Sequence, residues 1–214
     1  MPEMNIQSTS SKGFTLVELL VAAMISTIAA MAVLPQLEQR FKQSAVDTYT
    51  GKLEAGINQI KANMVSRQSS CQIDFPNGAG SENEIKPQDI EDLAIDNPLN
   101  PNCPKPTNMQ GNGSMATTDL RFVNIKHTLS PQQANDVRLL ISPATISMNT
   151  VGGVTAPEAS FDPRPLTIRI RSSSLHAKGK GQERCLKLEV MTGTLIRGSW
   201  QGNTFSDGKC TQNQ

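Results

Sequence analysis

Apolar and polar positions follow three successive patterns along this chain. Residues 14–34 are apolar almost throughout, with Glu18 the single ionisable side chain among them. At about 1.5 Å per residue, that stretch covers about 30 Å as a helix, the thickness of a bilayer hydrocarbon core. Past Pro35 the pattern changes to one apolar face, carried by Leu37, Phe41, Ala45, Tyr49, Leu53, Ile57, Ile60 and Met64, with charged residues largely elsewhere. Spacings of three and four predict that the helix continues to 66–68, making one element on the order of 80 Å long. Pro35 lacks an amide hydrogen and crowds the preceding turn, so a kink or local opening is expected there. Gly51 and Gly56 each weaken a helix by about 1 kcal/mol relative to alanine unless close packing requires them.

The second pattern is irregular. Residues 76–113 hold six prolines, four glycines and seven asparagines, the composition of a long loop. One short helix is predicted within it at 87–95, with acids in its first turns. The third pattern is β. Residues 120–125, 137–141, 166–171, 185–191 and 195–200 are short, β-branched or alternating. In 166–171 the alternation places Leu166, Ile168 and Ile170 on one face and Thr167, Arg169 and Arg171 on the other. This predicts half-buried antiparallel strands whose apolar side faces the long helix. Thr192-Gly193 is read as a tight hairpin turn between the last two strands.

The predicted class is α+β, a long N-terminal helix packed on a C-terminal antiparallel sheet. The expected divisions are 1–13, 14–34 (membrane-spanning), 35–68 (amphipathic), 69–119 (Pro/Asn/Gly-rich loop) and 120–214 (sheet). With 37% apolar residues, one Trp and one Tyr among 214, the core of the soluble part is modest. Net charge is +1, but it is unevenly spread. Residues 71–163 hold five basic and eleven acidic groups, and 164–214 hold nine basic and three acidic. Opposed blocks of this kind predict that one surface meets another, and the acidic block of a neighbouring subunit is the expected partner of the basic one.

A carboxylate inside a membrane span is costly unless it has a partner, so Glu18 is read as functional. Lys12-Gly13-Phe14-Thr15-Leu16-Val17-Glu18-Leu19-Leu20-Val21 resembles the processing and methylation signature of type IV prepilins and type II secretion pseudopilins. The resemblance is specific over residues 12–35. It implies a leader of residues 1–13, cleavage between Gly13 and Phe14 by prepilin peptidase, and N-methylation of Phe14. It also implies an assembly role for Glu18, and it places Pro35 where the family commonly bends its helix. One Lys and one Glu in the leader depart from the more basic leaders usual in the family. The implied partners are the peptidase/N-methyltransferase, other pilin or pseudopilin subunits and an inner-membrane assembly platform. The implied location is the inner membrane, with the C-terminal domain outside the cytoplasm, and then the pilus or pseudopilus. An ordinary secretory signal would instead place its cleavage site after the apolar run, where Pro35-Gln36-Leu37 follows. The segment at 185–197 further resembles minor subunits of the GspH/FimT type.

The remaining chemistry points to a structural role. Cys71, Cys103, Cys185 and Cys210 fit no zinc spacing, and an even number on one side of a membrane favours disulfides in an oxidising space. Three pairings are open. Cys71–Cys103 with Cys185–Cys210 is preferred, since it fastens the long loop to the helix end and the C-terminal tail to a strand. His127 and His176 have no nucleophile motif beside them, and Gly152-Gly153 and Lys178-Gly179-Lys180-Gly181 read as turns rather than phosphate loops. Neither enzymatic activity nor a cofactor or metal is expected. Arg164, Arg169, Arg171, Lys178, Lys180, Arg184, Lys187, Arg197 and Lys209, with Trp200 nearby, form the alternative candidate, a phosphate-tracking surface for DNA.

Overall fold

A computed structural model of the chain describes residues 15–67, 71–76, 82–91, 107–109, 115–117, 129–148, 154–155, 165–190 and 192–212. Two compact units divide at Arg40 and Phe41.

The first helix, α1 (Leu16–Arg67), is unbroken through Pro35, and its end agrees with the limit read from the apolar period. The first unit contains its opening half, where the described side chains from Leu16 to Leu34 are all exposed. Among the described residues nothing buries them. Apart from Glu18, Ser26 and Thr27 they are apolar, as expected of a helix meant for lipid or for other helices. Ser26 and Thr27 sit in this run, and each satisfies its hydroxyl within the helix. Ser26 Oγ donates to the Ala22 carbonyl at 2.8 Å, and Thr27 Oγ1 to that of Met24 at 2.8 Å. In hydrocarbon an unbonded hydroxyl would be costly, so this back-bonding makes both residues compatible with a span.

The second unit begins at Phe41. Along its part of α1, Ala45, Val46, Tyr49, Leu53, Ile57, Ile60 and Met64 are all at most 4% exposed. Leu37 and Phe41 continue the same stripe in sequence yet are 42% and 68% exposed. Burial therefore starts at Ala45, later than the periodicity alone predicts, because the sheet cover starts there.

After α1 come β1 (Cys71–Asp74), α2 (Pro87–Glu91), β2 (Thr107–Met109), β3 (Met115–Thr117), α3 (Pro131–Asp136), β4 (Val137–Ser142) and β5 (Thr145–Met148). Then follow β6 (Val154–Thr155), β7 (Leu166–Ser172), α4 (Ser173–Ala177), β8 (Arg184–Leu188), β9 (Leu195–Gln201) and β10 (Lys209–Gln212). The main sheet is antiparallel in the order β10-β9-β8-β7-β4. Its inner face, made of Val137, Leu139, Ile141, Leu166, Ile168, Ile170, Leu186 and Leu188, forms one core with the buried stripe of α1. Burying each such aliphatic side chain contributes about 1.5–3 kcal/mol, and this is the principal force joining helix to sheet. Two smaller sheets, β1-β5-β6 and β2-β3, lie outside it, and Ile85 bridges Leu139 on the β4 edge.

Several expectations change. The region 69–119 is not irregular throughout, since β1, β2 and β3 fall within it, and β10 follows the last predicted strand. The helix expected at 87–95 is described to Glu91, and the strand expected at 120–125 lies outside the described residues. The turn between β8 and β9 is wider than a two-residue hairpin. It is closed by the Glu189 amide on the Thr194 carbonyl at 3.0 Å, with Gly193 at φ +61° inside it.

Short helices in the head owe their existence to caps. Ser130 and Gln133 form a capping box around α3, with Pro131 in its first turn. Ser172 caps α4, and Asp136 reinforces it by accepting from the Ser172 hydroxyl and from the Ser174 amide at 2.9 Å. Burial pushes the Asp136 carboxyl up, but the serine hydrogen bonds and the field of Lys42 together outweigh that and hold it below its ordinary value of 3.8. A carboxyl depressed by folding adds stability above its unfolded pKa and loses it as pH falls through the folded one. Unfolding followed below pH 4 should accordingly show a shallower acid dependence for Asp136→Asn than for the parent chain. An unchanged slope would mean that the carboxylate adds nothing there.

Candidate functional site

Glu18 is exposed at the start of α1, and it is bonded to Thr15. The Thr15 amide and hydroxyl each donate to Glu18 Oε2 at 3.1 Å, and the Glu18 amide donates to Thr15 Oγ1 at 3.3 Å. This is a capping box, which satisfies helix-end donors reciprocally. Thr15 was missed as a site residue, although Thr15-Leu-Val-Glu18 is itself the sequence signal for such a box. The consequence is that the one carboxylate of the apolar segment is held at the helix terminus. Gly13 and Phe14 lie outside the described residues.

The basic third is organised by its arginines. Alternation along β7 predicts that Arg169 faces solvent, and the structure corrects this, since Arg169 is fully buried. Its NH1 lies 3.0 Å from Glu82 Oε2. Its NH2 and Nε lie 2.9 and 3.2 Å from Glu183 Oε2. The guanidinium also stacks 4.7 Å from the Trp200 ring centroid and 5.3 Å from that of Phe205. Burying this cation is tolerable because two carboxylates and two ring faces replace its water.

The other arginines are engaged as well. Arg171 meets Glu84 at 2.8 Å and Glu183 at 3.3 Å, and Arg138 meets Glu84 at 3.5 Å. His176 Nδ1 lies 3.0 Å from Glu183. Arg184 pairs with Asp47 on α1, and Arg197 with Glu54 at 3.2 Å. Arg197 NH1 lies 3.5 Å from where a Gly51 Cβ would sit, an ordinary contact, so packing does not require a glycine there. Lys187 pairs with Glu189 at 2.8 Å. The opposed charge blocks thus meet within one chain, where Glu82 and Glu84 of the acidic block answer Arg169 and Arg171 of the basic one. Lys178 and Lys180 stand apart, exposed and without an acidic partner among the described residues. Arg164 lies outside those residues.

Cys185 and Cys210 form a disulfide, as preferred from the sequence. Cys71 opens β1, while Cys103, and with it the other pairing, lies outside the described residues. The bridge joins β8 to β10, the two neighbours of β9. Their Cα atoms are only 5.7 Å apart, whereas flat sheet geometry puts next-nearest strands about 9.5 Å apart. Strand β10 must therefore ride over β9, and Gly198 is where it does so. A Cβ on Gly198 would lie 2.0 Å from the Thr211 carbonyl oxygen. This raised hairpin, with Trp200 and Phe205, roofs the buried Arg169.

Residues 8–34 match the model of the prokaryotic N-terminal methylation motif. No curated protein and no solved structure matches the chain. The motif marks a family of structural subunits, and it implies processing by prepilin peptidase and assembly with other pilin subunits. The match covers Gly13-Phe14, read from the sequence as a leader junction, and the exposed apolar run that follows. With that motif heading a long apolar helix and an antiparallel sheet behind it, the chain is similar in its N-terminal segment and its α+β class to type IV pilin-like and pseudopilin precursors.

Proposed function

We propose that the chain is a structural subunit, minor in its filament, of a type IV pilus or a type II secretion pseudopilus. Prepilin peptidase cuts between Gly13 and Phe14, and Phe14 is then N-methylated. Until assembly, residues 14–34 anchor the subunit in the inner membrane with its head outside the cytoplasm. The assembly platform then inserts it into the filament through α1. The long Pro/Asn/Gly-rich region and the shortage of aromatic residues support a minor role. Strand, loop and basic strand over β8 and β9, ending near Arg197, support the GspH/FimT type. The alternative, a DNA- or surface-binding module built on the basic sheet, is weaker. Arg169, Arg171, Arg184 and Arg197 would have to exchange Glu82, Glu84, Glu183, Asp47 and Glu54 for phosphates.

One observation carries this reading. An apolar helix whose side chains are exposed from Leu16 to Leu34 bears a single carboxylate, held at its terminus by Thr15. After cleavage, the Phe14 amine of a neighbouring subunit is the charge that Glu18 is placed to neutralise. In a low-dielectric environment either charge alone is strongly disfavoured, so only the correct axial offset between subunits satisfies both. Glu18→Ala should be cleaved normally, yet enter filaments at least about tenfold less well, with Glu18→Asp in between. Cleavage is scored by the mass of the mature chain and assembly by sheared-filament content. Normal incorporation of Glu18→Ala would sink the register role.

A further inference from the structure

The outer face of the main sheet, turned away from α1, carries a cleft of about 780 Å³ beside the raised hairpin. Its size falls within the range of about 300–1,000 Å³ usual for small-molecule sites. One wall is a row set by strand register. Ser142 on β4 pairs with Thr167 on β7, and Thr167 pairs with Lys187 on β8. The three side chains therefore stand side by side at the strand spacing of about 4.8 Å. They alternate with Ile141, Ile168 and Leu186 of the core face, which is why they line the cleft instead. Neither the Ser142 nor the Thr167 hydroxyl makes a hydrogen bond among the described residues, so both are open to a ligand.

The facing wall is aromatic and cationic. Trp200 and Phe205 meet edge to face with their centroids 5.7 Å apart, and Lys209 stands beside them. The loop that carries Phe205 is fixed from within. The Thr204 amide and hydroxyl donate to Asp207 Oδ1 at 2.7 and 2.6 Å, and the Phe205 amide donates to Glu82 Oε1 at 2.6 Å. Gly208 lies against the indole, where a Cβ would come within 2.1 Å of Trp200 Cζ2. Both rings are thus set in place before any ligand arrives. Of the charged groups on the described lining, Glu82 is answered by Arg169 at 3.0 Å and Lys187 by Glu189 at 2.8 Å. Lys209 is exposed and has no acidic partner among the described residues. The charge left over in the cleft is positive.

We propose that this cleft is a binding site for an acidic saccharide, one whose sugar rings carry carboxylates. Ser142 and Thr167 both donate and accept, as a polyhydroxylated ligand requires. Trp200 and Phe205 supply apolar surface for the C–H faces of the rings, and Lys209, with Lys187 behind it, takes the carboxylate. An extended peptide suits the cleft less well. Strand addition needs a free edge, whereas β7 and β8 are paired on both sides, and a peptide added to the β10 edge would lie beside the sheet rather than over the row. Single-stranded nucleic acid stacks its bases on aromatic platforms, but the Trp200 and Phe205 planes stand at 69° to each other and offer no parallel pair. The site lies wholly within the second unit, and it stands or falls independently of the reading of residues 14–34.

The test uses the full chain in nonionic detergent at low salt, with tetragalacturonate as the probe and its full methyl ester as the uncharged counterpart. Equilibrium dialysis reads binding, and Trp200, the single tryptophan, reports its place by fluorescence. The acid should bind saturably and shift the emission. The ester on the parent chain, and the acid on Lys209→Met or Thr167→Val, should each bind at least about fivefold more weakly. Both variants should keep the parent urea midpoint, and added salt should weaken the acid but not the ester. No saturable binding of tetragalacturonate, or equal affinity for acid and ester, would overturn the proposal. Binding that survives both Lys209→Met and Thr167→Val would overturn it too, by placing the saccharide elsewhere. Tighter binding of oligothymidylate, lost in the same variants, would assign the cleft to single-stranded nucleic acid instead.

Discussion

Arg169→Ala should cost the head about 3–5 kcal/mol, the range for breaking a buried ion pair from one side. Total stabilities of domains this size are only about 5–15 kcal/mol, so the variant should be largely unfolded at modest denaturant. Three contributions combine in that loss. The two carboxylates lose their shared counter-ion, the Trp200 and Phe205 rings lose a stacked cation, and a fully buried volume is emptied. Glu82 is 44% exposed and regains water, but Glu183 is 14% exposed and keeps only Arg171 and His176. Arg169→Lys should rescue little, since an ammonium cannot lie flat on the rings while bonding both carboxylates. Trp200 is the single tryptophan of the chain, so urea unfolding of the full chain in detergent can be followed by fluorescence at this very contact. A midpoint within about 0.5 kcal/mol of the parent would show that the cluster is dispensable.

Gly198→Val should be nearly as damaging, by a different route. The clash at Gly198 is with the Thr211 backbone, 2.0 Å from the added Cβ, and a backbone atom in a paired strand cannot turn aside as a side chain can. Strand β10 would have to lift from β9, and Cys210 would then no longer reach Cys185. In the chain-entropy model a bridge across 25 residues contributes about 3–4 kcal/mol. Non-reducing mass mapping should find Cys185 and Cys210 as free thiols in the variant. Stability should fall to about that of Cys185→Ser/Cys210→Ser. Full bridging in Gly198→Val would mean that β10 does not need to pass so close. Arg169 and Gly198 are both remote in sequence from Gly13, so both variants should still be cleaved after Gly13, which separates head folding from processing.

These two sites mark where sequence reasoning lost the thread. The alternation of 166–171 correctly placed Leu166, Ile168 and Ile170 against α1. It could not show that the opposite face is roofed, because the roof is supplied by Trp200, Phe205 and β10, more than thirty residues away in sequence. Strand β10, Lys-Cys-Thr-Gln, has no apolar alternation, and its pairing comes from backbone hydrogen bonds and a disulfide. Strands β1 and β5 are four residues each, too short for a period to emerge. The charge blocks were read as meeting between subunits, but Glu82 and Glu84 pair with Arg169 and Arg171 within one chain, which their distance in sequence does not announce.

What the sequence determined by itself lies in the N-terminal third: the length of the apolar run, the isolated carboxylate and the reach of α1 to Arg67. These are local properties, since helical period, capping and apolar length are written in consecutive residues. Only the tertiary structure decided that burial begins at Ala45, that Arg169 is enclosed, that Gly198 admits β10, and that Glu82 and Glu84 meet Arg169 and Arg171. It also left Lys178 and Lys180 exposed, without an acidic partner among the described residues. Those outcomes depend on which distant segments come together, and no window along the chain contains both halves of any of them.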